Sequence, residues 1–121
     1  MNRYKDYGKV VSKYMKAVID TLKKRGGLVD TDWVQLDTMA WNYWLWQKCR
    51  DEVLDAGIMI NGSTGNMVKN PAIDAANAAI RQANSIAEAY GLTPMSRKKL
   101  TKGEPEPTDD SPLAEWLKGN S

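Results

Sequence analysis

Histidine and phenylalanine are absent from this chain of 121 residues, and cysteine occurs once, as Cys49. Without histidine, and with a single thiol, the chain lacks the side chains for a zinc finger, for Cys-His or Ser-His-Asp nucleophilic catalysis and for an internal disulfide. Carboxylates are what remains for acid or base chemistry, at Asp30, Asp32, Asp37, Asp51, Glu52 and Asp55. Their positions read as helix caps, first-turn charges and a solvated face, so no catalytic residue is assigned and no enzyme is expected. Long apolar runs are missing too. No stretch of about 18 apolar residues occurs, and no short apolar segment follows a basic N-terminus, which points away from a membrane span or secretion and toward an intracellular protein. Gly62-Ser63-Thr64-Gly65 lacks the Gly-Lys-Ser/Thr ending and the preceding buried strand of a P-loop, so it is assigned to turn geometry. No metal and no cofactor are expected.

What is present is charge arranged in blocks. The net charge of +2 conceals a basic stretch over residues 1–25, an acidic one over 26–60, a basic one over 61–100 and an acidic one over 101–121. Glycine and proline fall near the borders, at Gly26-Gly27, Gly62 to Gly65, Asn70-Pro71, Gly91 to Pro94 and Gly103 to Pro107. No internal repeat accompanies them.

The spacing of Tyr4, Tyr7, Val11, Tyr14, Val18 and Leu22 predicts a helix over residues 3–24 with one apolar face. On another side Lys5, Lys9, Lys13 and Lys16 form a stripe about 16 Å long at a rise of about 1.5 Å per residue. Such a stripe suits a phosphate backbone, and it equally suits a solvated helix face. A second helix is expected from an N-cap at Asp30 or Thr31 to about Ala56, closed by a left-handed Gly57. Trp33, Leu36, Ala40, Tyr43 and Trp44 make one face of it, while Val34, Trp41, Leu45 and Trp46 lie on other sides. Two neighbouring helices in a domain of this size would leave part of that surface bare, so another subunit is a candidate to bury it. The same aromatics read more simply as core than as a platform for stacked bases, since no Arg or Lys is interleaved with them in sequence.

Residues 58–69 set two short β-tolerant runs around a glycine-rich turn, predicting a small hairpin or extended loop. Asn70-Pro71 then starts a third helix, with Asn70 as N-cap and Pro71 at the first position, continuing to Tyr90. Ile73, Ala76, Ile80, Ala83, Ala87 and Tyr90 alternate spacings of three and four, a stripe that suits either a hairpin with the second helix or a subunit interface. Gly91 closes this helix, and Thr93-Pro94 opens a short turn or two through Arg97, Lys98, Lys99 and Leu100. From Thr101 to Asp110 no apolar residue occurs, and this acidic stretch is expected to be disordered. Beyond it Ser111-Pro112 leads a short amphipathic helix carrying Leu113, Trp116 and Leu117, suited to docking on a partner's groove or to folding back. The expected fold is mainly α: a bundle or hairpin of three main helices with a short β-hairpin or loop before the third. Residues 1–100 form the domain and 101–121 a flexible acidic tail ending in a docking helix.

Asn70-Pro71, an Ala-rich helix and then Gly91-Leu92-Thr93-Pro94-Met95-Ser96-Arg97-Lys98-Lys99-Leu100 resemble the C-terminal signature of a phage small terminase family. The similarity extends back through Leu28-Val29-Asp30-Thr31-Asp32, the aromatic helix and the glycine-rich loop, covering roughly residues 10–100. This resemblance implies a nonenzymatic viral packaging component of the host cytoplasm. It would be a homo-oligomer, a ring, that recognises double-stranded viral DNA and recruits or regulates a large subunit with ATPase and nuclease activity. It makes Lys5, Lys9, Lys13, Lys16, Arg97, Lys98 and Lys99 the candidate DNA contacts. Trp33, Trp41, Trp44, Trp46, Ile73, Ile80 and Tyr90 become candidate subunit contacts, and Leu113, Trp116 and Leu117 a candidate dock for the large subunit. No separate N-terminal helix-turn-helix precedes Gly26-Gly27, and no compact Arg, Asn or Gln set suits reading of base edges, so DNA shape is the expected source of specificity. The other reading of the residues is a small helical interaction module without DNA binding.

Overall fold

The computed structural model describes residues 3–95 and residue 98. Three helices carry the fold: α1 (Gly8–Lys24), α2 (Asp30–Ala56) and α3 (Ala72–Ala89), with strands β1 (Met59–Asn61) and β2 (Met67–Lys69) between the last two. The mainly helical architecture with a small hairpin before the third helix is the one expected from the sequence.

The first helical segment is not continuous. Lys5–Tyr7 form a single 3-10 turn, and Gly8, with φ 87° and ψ 171°, interrupts the helical path where α1 begins. A side chain with a Cβ is strained there, so the glycine allows a corner that a smooth 3.6-residue pattern does not reveal. α1 keeps the anticipated apolar face, with Val11, Val18 and Leu22 buried and Tyr14 half-buried, and adds Met15, Ala17 and Thr21. Its end is tied by Gly27 N–H donating to the Leu22 carbonyl at 3.1 Å.

α2 has 27 residues and so runs about 40 Å. Its N-cap is Val29 rather than Asp30 or Thr31. The cap works from inside, because the Asp32 carboxylate accepts from the Val29 N–H at 2.9 Å while the Asp32 N–H donates to the Val29 carbonyl at 3.0 Å. At the far end Gly57 has φ 99° with an extended ψ of 169°, outside the left-handed helical well, and its N–H donates to the Val53 carbonyl at 2.8 Å.

Asn70 joins the hairpin to α3. Its Oδ1 accepts from the Ala72 N–H at 3.0 Å, and Pro71 already has helical dihedrals, so the Asn-cap, Pro-first reading holds although regular hydrogen bonding starts at Ala72. Antiparallel β1 and β2 pair Met59 with Lys69, Ile60 with Val68 and Asn61 with Met67. α3 returns along α2, since Asn70 meets Gly57 at one end and Tyr90 meets Asp32 at the other. Ala76, Ala79, Ala83 and Ala87 are its buried row, small enough for close helix approach. Gly91 and Leu92 close it in a Schellman motif: Gly91 N–H donates to the Glu88 carbonyl at 3.0 Å and Leu92 N–H to the Ala87 carbonyl at 2.9 Å. Pro94 and Met95 re-enter helix, as Lys98 does.

The core lies where α1 crosses the first half of α2. Val11, Met15, Val18, Leu36, Met39 and Ala40 are fully buried there, with Ala87 and Leu92 closing the α3 side. The expectations for residues 99–121, including Lys99, Leu113, Trp116, Leu117 and the acidic stretch, fall outside the described residues, as does Arg97.

Candidate nucleic-acid interface

α1 buries Val11, Met15, Val18 and Leu22, and at 100° per residue the opposite side belongs to positions 9, 13, 16, 20 and 23. These are Lys9, Lys13, Lys16, Asp20 and Lys23, and the four lysines are exposed. Lys5 is exposed too but stands on the 3-10 turn beyond Gly8, off the helical stripe. The stripe foreseen at residues 5–16 therefore shifts by geometry to 9–23, gaining Lys23. Asp20 tempers it, accepting from Lys16 Nζ at 3.1 Å across one turn. Arg25 at the end of the helix is turned toward the end of α3, its Nη1 donating to the Gly91 carbonyl at 2.9 Å and the Tyr90 carbonyl at 3.3 Å. Lys98 is exposed and helical.

Beside this stripe the N-terminal segment is fastened to α2 through Asp37. Arg3 donates from Nε to Oδ1 and from Nη2 to Oδ2, both at 2.8 Å, and the Tyr4 hydroxyl donates to Oδ1 at 2.8 Å. The guanidinium also lies over the Trp33 ring, 4.9 Å from its centroid. Asp37 is thus a clamp rather than part of a solvated acidic face. The Arg3 hydrogen bonds hold its carboxyl below the ordinary value of 3.8, burial opposes them and the Tyr4 hydroxyl adds to them. Tyr4 itself is raised, first by burial and then by Asp37. Asp32 is likewise held low, by the Val29 N–H first and then by the Tyr90 hydroxyl, which donates to it at 2.7 Å. Burial and that carboxylate push the Tyr90 phenol up to about 12.

A carboxylate whose folded pKa lies below its unfolded value contributes stability above the unfolded value and loses it as pH falls through the folded one. Asp32 and Asp37 both have this sign. Thermal melts are therefore expected to shift downward from about pH 5 to about pH 3, and the shift should be smaller in Asp37→Asn, which leaves Asp32 to titrate. An unchanged pH dependence in that variant would show that the clamp does not persist in solution.

The aromatic residues divide between inside and outside. Trp33, Tyr43, Trp44 and Tyr90 pack against the core from its rim. Tyr14 stacks on Tyr43 with centroids 4.7 Å apart and planes within 8°, and burial pushes the Tyr14 phenol up to about 12. Tyr7 meets Trp44 edge-on at 6.0 Å. Trp46 is half-buried under the Arg50 guanidinium at 5.0 Å. Trp41 is 50% exposed and Val34, one heptad earlier, 65%. Ile73 and Ile80 are half-buried on α3. Guanidinium groups thus do sit on tryptophans, Arg3 on Trp33 and Arg50 on Trp46, although no basic residue is interleaved among the aromatics in sequence. The Arg3 pairing spans 30 positions and had no local signal.

Sequence patterning also missed a second apolar exposure at the hairpin end. Leu54, Ile58, Met59, Met67 and Val68 are each between 42% and 78% exposed. Two three-residue strands cannot cover their own apolar side chains, which is the available hint. Among the described residues no cluster suited to a metal ion occurs, and no helix is long and apolar enough to cross a membrane.

Residues 12–107 match the family described as phage terminase, small subunit. The chain belongs to that family. No curated protein and no solved structure matches it. The matched span of this small terminase subunit takes in most of α1, all of α2, the β-hairpin and α3. The family membership expected from the sequence is thus shown over nearly all of the described helical scaffold, from Ser12 onward. Small subunits of this family are generally nonenzymatic and work within viral DNA packaging, with DNA and the large subunit as partners.

Proposed function

We propose that this small terminase subunit assembles into a ring in the host cytoplasm, binds double-stranded viral DNA through the basic side of α1, and recruits or regulates the large ATPase and nuclease subunit. The carrying observation is the separation of α1 into a buried apolar side and an outer side bearing Lys9, Lys13, Lys16 and Lys23. A helix anchored through its apolar face presents those ammonium groups as a fixed row, and each phosphate they neutralise releases counterions. One subunit supplies weak, sequence-indifferent contact, which a ring multiplies through effective concentration. Specificity comes from the shape and bendability of the packaging site. Lys5, Arg97, Lys98 and Lys99 extend the contact.

Assembly draws on the apolar surface that one chain leaves uncovered. Trp41 and Val34 on α2 and the hairpin-end residues lead that surface, with Trp44, Trp46, Ile73, Ile80 and Tyr90 as further subunit contacts. Leu113, Trp116 and Leu117, tethered by the acidic stretch, dock on the large subunit.

Native mass spectrometry should give one species of many subunits, and a monomer or dimer across concentrations would remove the ring. The charge-reversed variant Lys9→Glu/Lys13→Glu/Lys16→Glu should weaken DNA binding and lower the slope of log affinity against log salt by about three. Unchanged binding would move the contact off α1. No retention of DNA by the parent protein even at low salt would leave a helical interaction module.

A further inference from the structure

One face of the Lys-bearing helix does more than meet solvent. Ser12, Lys16, Ile19 and Lys23, spaced four, three and four, form a single row along the flank of α1, and this row faces Trp33 and the Arg3-Tyr4 segment across a groove of about 440 Å³. Its volume falls in the range of small-ligand pockets, about 300–1,000 Å³. Its chemistry is mixed in a particular way. Three cations border it, while Ile19 and the Trp33 indole supply an apolar wall.

The cations differ in what already holds them. Arg3 spends Nε and Nη2 on Asp37 and rests on Trp33, so its guanidinium is fixed in place. Lys16 pairs with Asp20 yet its side chain is 80% exposed, so that pair contributes little and yields readily. Lys23 has no carboxylate within ion-pair distance among the described residues. Asp20 and Asp37 are both engaged by these cations, which leaves the groove short of negative charge at Lys23. An anion completes it. An anion attached to a flat or apolar group would use the Ile19-Trp33 wall as well, and a phosphate ester of a nucleoside has both parts.

We propose that this groove is a phosphate-ester subsite: a nucleic-acid backbone phosphate is held by Lys23, Lys16 and Arg3 while its sugar or base lies against Trp33 and Ile19. The inference rests on the DNA-binding reading and deepens it, moving one contact from the open stripe into a shaped site at its flank. Asp37 acts there as a positioning residue, since it fixes Arg3 without meeting the phosphate.

The test uses the full chain labelled with nitrogen-15, with the Trp33 indole N–H assigned through Trp33→Phe. Three probes are titrated at low salt: duplex DNA, a short single strand and a deoxynucleoside monophosphate, with inorganic phosphate as a fourth. The Trp33 indole signal should move with each nucleotide probe and much less with inorganic phosphate. Lys23→Ala should abolish that movement, reduce duplex affinity by about tenfold and lower the salt slope by about one. Thermal melts establish that Lys23→Ala is folded. If duplex DNA binds, the Lys9, Lys13 and Lys16 reversal weakens it, and Lys23→Ala changes neither affinity nor the Trp33 signal, the groove inference fails while the DNA-binding function stands. If duplex DNA does not bind, that function fails, and the monophosphate decides the groove alone: a Trp33 shift lost in Lys23→Ala supports it, and no shift overturns it. A response as large with inorganic phosphate as with nucleotides would overturn the part assigned to Trp33 and Ile19.

Discussion

Replacing Leu36 with alanine is expected to lower the unfolding free energy by about 3–5 kcal/mol. The side chain is fully buried in α2, among Val11, Met15 and Val18 from α1 and Met39 and Ala40 from its own helix. Two features put this site near the upper end for such a truncation. α3 contributes alanines to the buried layer, so the bulky part of the core is confined to a few side chains of α1 and α2. The surrounding elements are also pinned in place, the N-terminal segment to α2 by the Arg3-Asp37 pair and the end of α1 to the end of α3 by Arg25 on the Tyr90 and Gly91 carbonyls, which limits relaxation into the cavity. For a domain whose total stability is about 5–15 kcal/mol the loss is a large fraction. A fall in melting temperature of the order of 10–20 °C should accompany it. Leu54→Ala on the same helix removes the same atoms from a residue 78% exposed, and its effect on chain stability should stay within about 0.5 kcal/mol. Chemical denaturation of both variants checks the pair. Equal losses would mean that the α1-α2 layer is not the core.

The contrast between Leu36 and Leu54 also shows what the sequence could and could not convey. α1 has apolar residues on one side and lysines on the other, so its buried face and its basic stripe were both readable from spacing. α2 is different. Its apolar residues lie all round the helix, and the period alone does not say which of Trp33, Trp41, Trp44 and Trp46 faces inward. That choice is made by where the N-terminal turn, α1 and α3 arrive: the turn brings Tyr7 to Trp44 and α1 brings Tyr14 to Tyr43, leaving Trp41 outside. The capping residues behave likewise. Asn70-Pro71 acts within two residues, so its role was legible, whereas the clamp on Asp37 joins residues 34 positions apart and left no local trace. Gly8 was hidden for another reason: a single glycine is tolerated inside a helical pattern, and only its φ of 87° reveals a corner. Lys23 was visible as a lysine but not as part of a site, because the groove exists only once Arg3 and Trp33 are brought to it.

Asn70→Ala is expected to cost about 2–3 kcal/mol, more than the loss of an ordinary helix cap. Asn70 is 3% exposed and its side chain serves two elements at once. Oδ1 accepts from the Ala72 N–H at 3.0 Å, and Nδ2 donates to the Gly57 carbonyl at 3.0 Å. Its backbone N–H also donates to the Ile58 carbonyl at 2.7 Å, closing the base of the hairpin, so alanine would keep the strand contact and strip both side-chain bonds. The half-buried Gly57 carbonyl and a helix-terminal N–H would then both lose the partner that the enclosed Asn70 side chain supplies. Asn70→Asp separates the two roles. An aspartate restores the cap and suits the positive end of the helix, but it offers no donor to Gly57 and sets a carboxylate oxygen against that carbonyl. Its stability should therefore lie between those of the parent and Asn70→Ala at low pH, where the carboxyl is protonated and can donate, and fall toward Asn70→Ala at neutral pH. Denaturation at both pH values, with hydrogen exchange at Met59–Asn61 and Met67–Lys69, checks this. Unaltered exchange in the two strands of Asn70→Ala would show that the hairpin is held by its own ladder and not by the junction. Faster exchange there, with α1 still protected, would show that the turn between α2 and α3 opens as a unit separate from the basic helix.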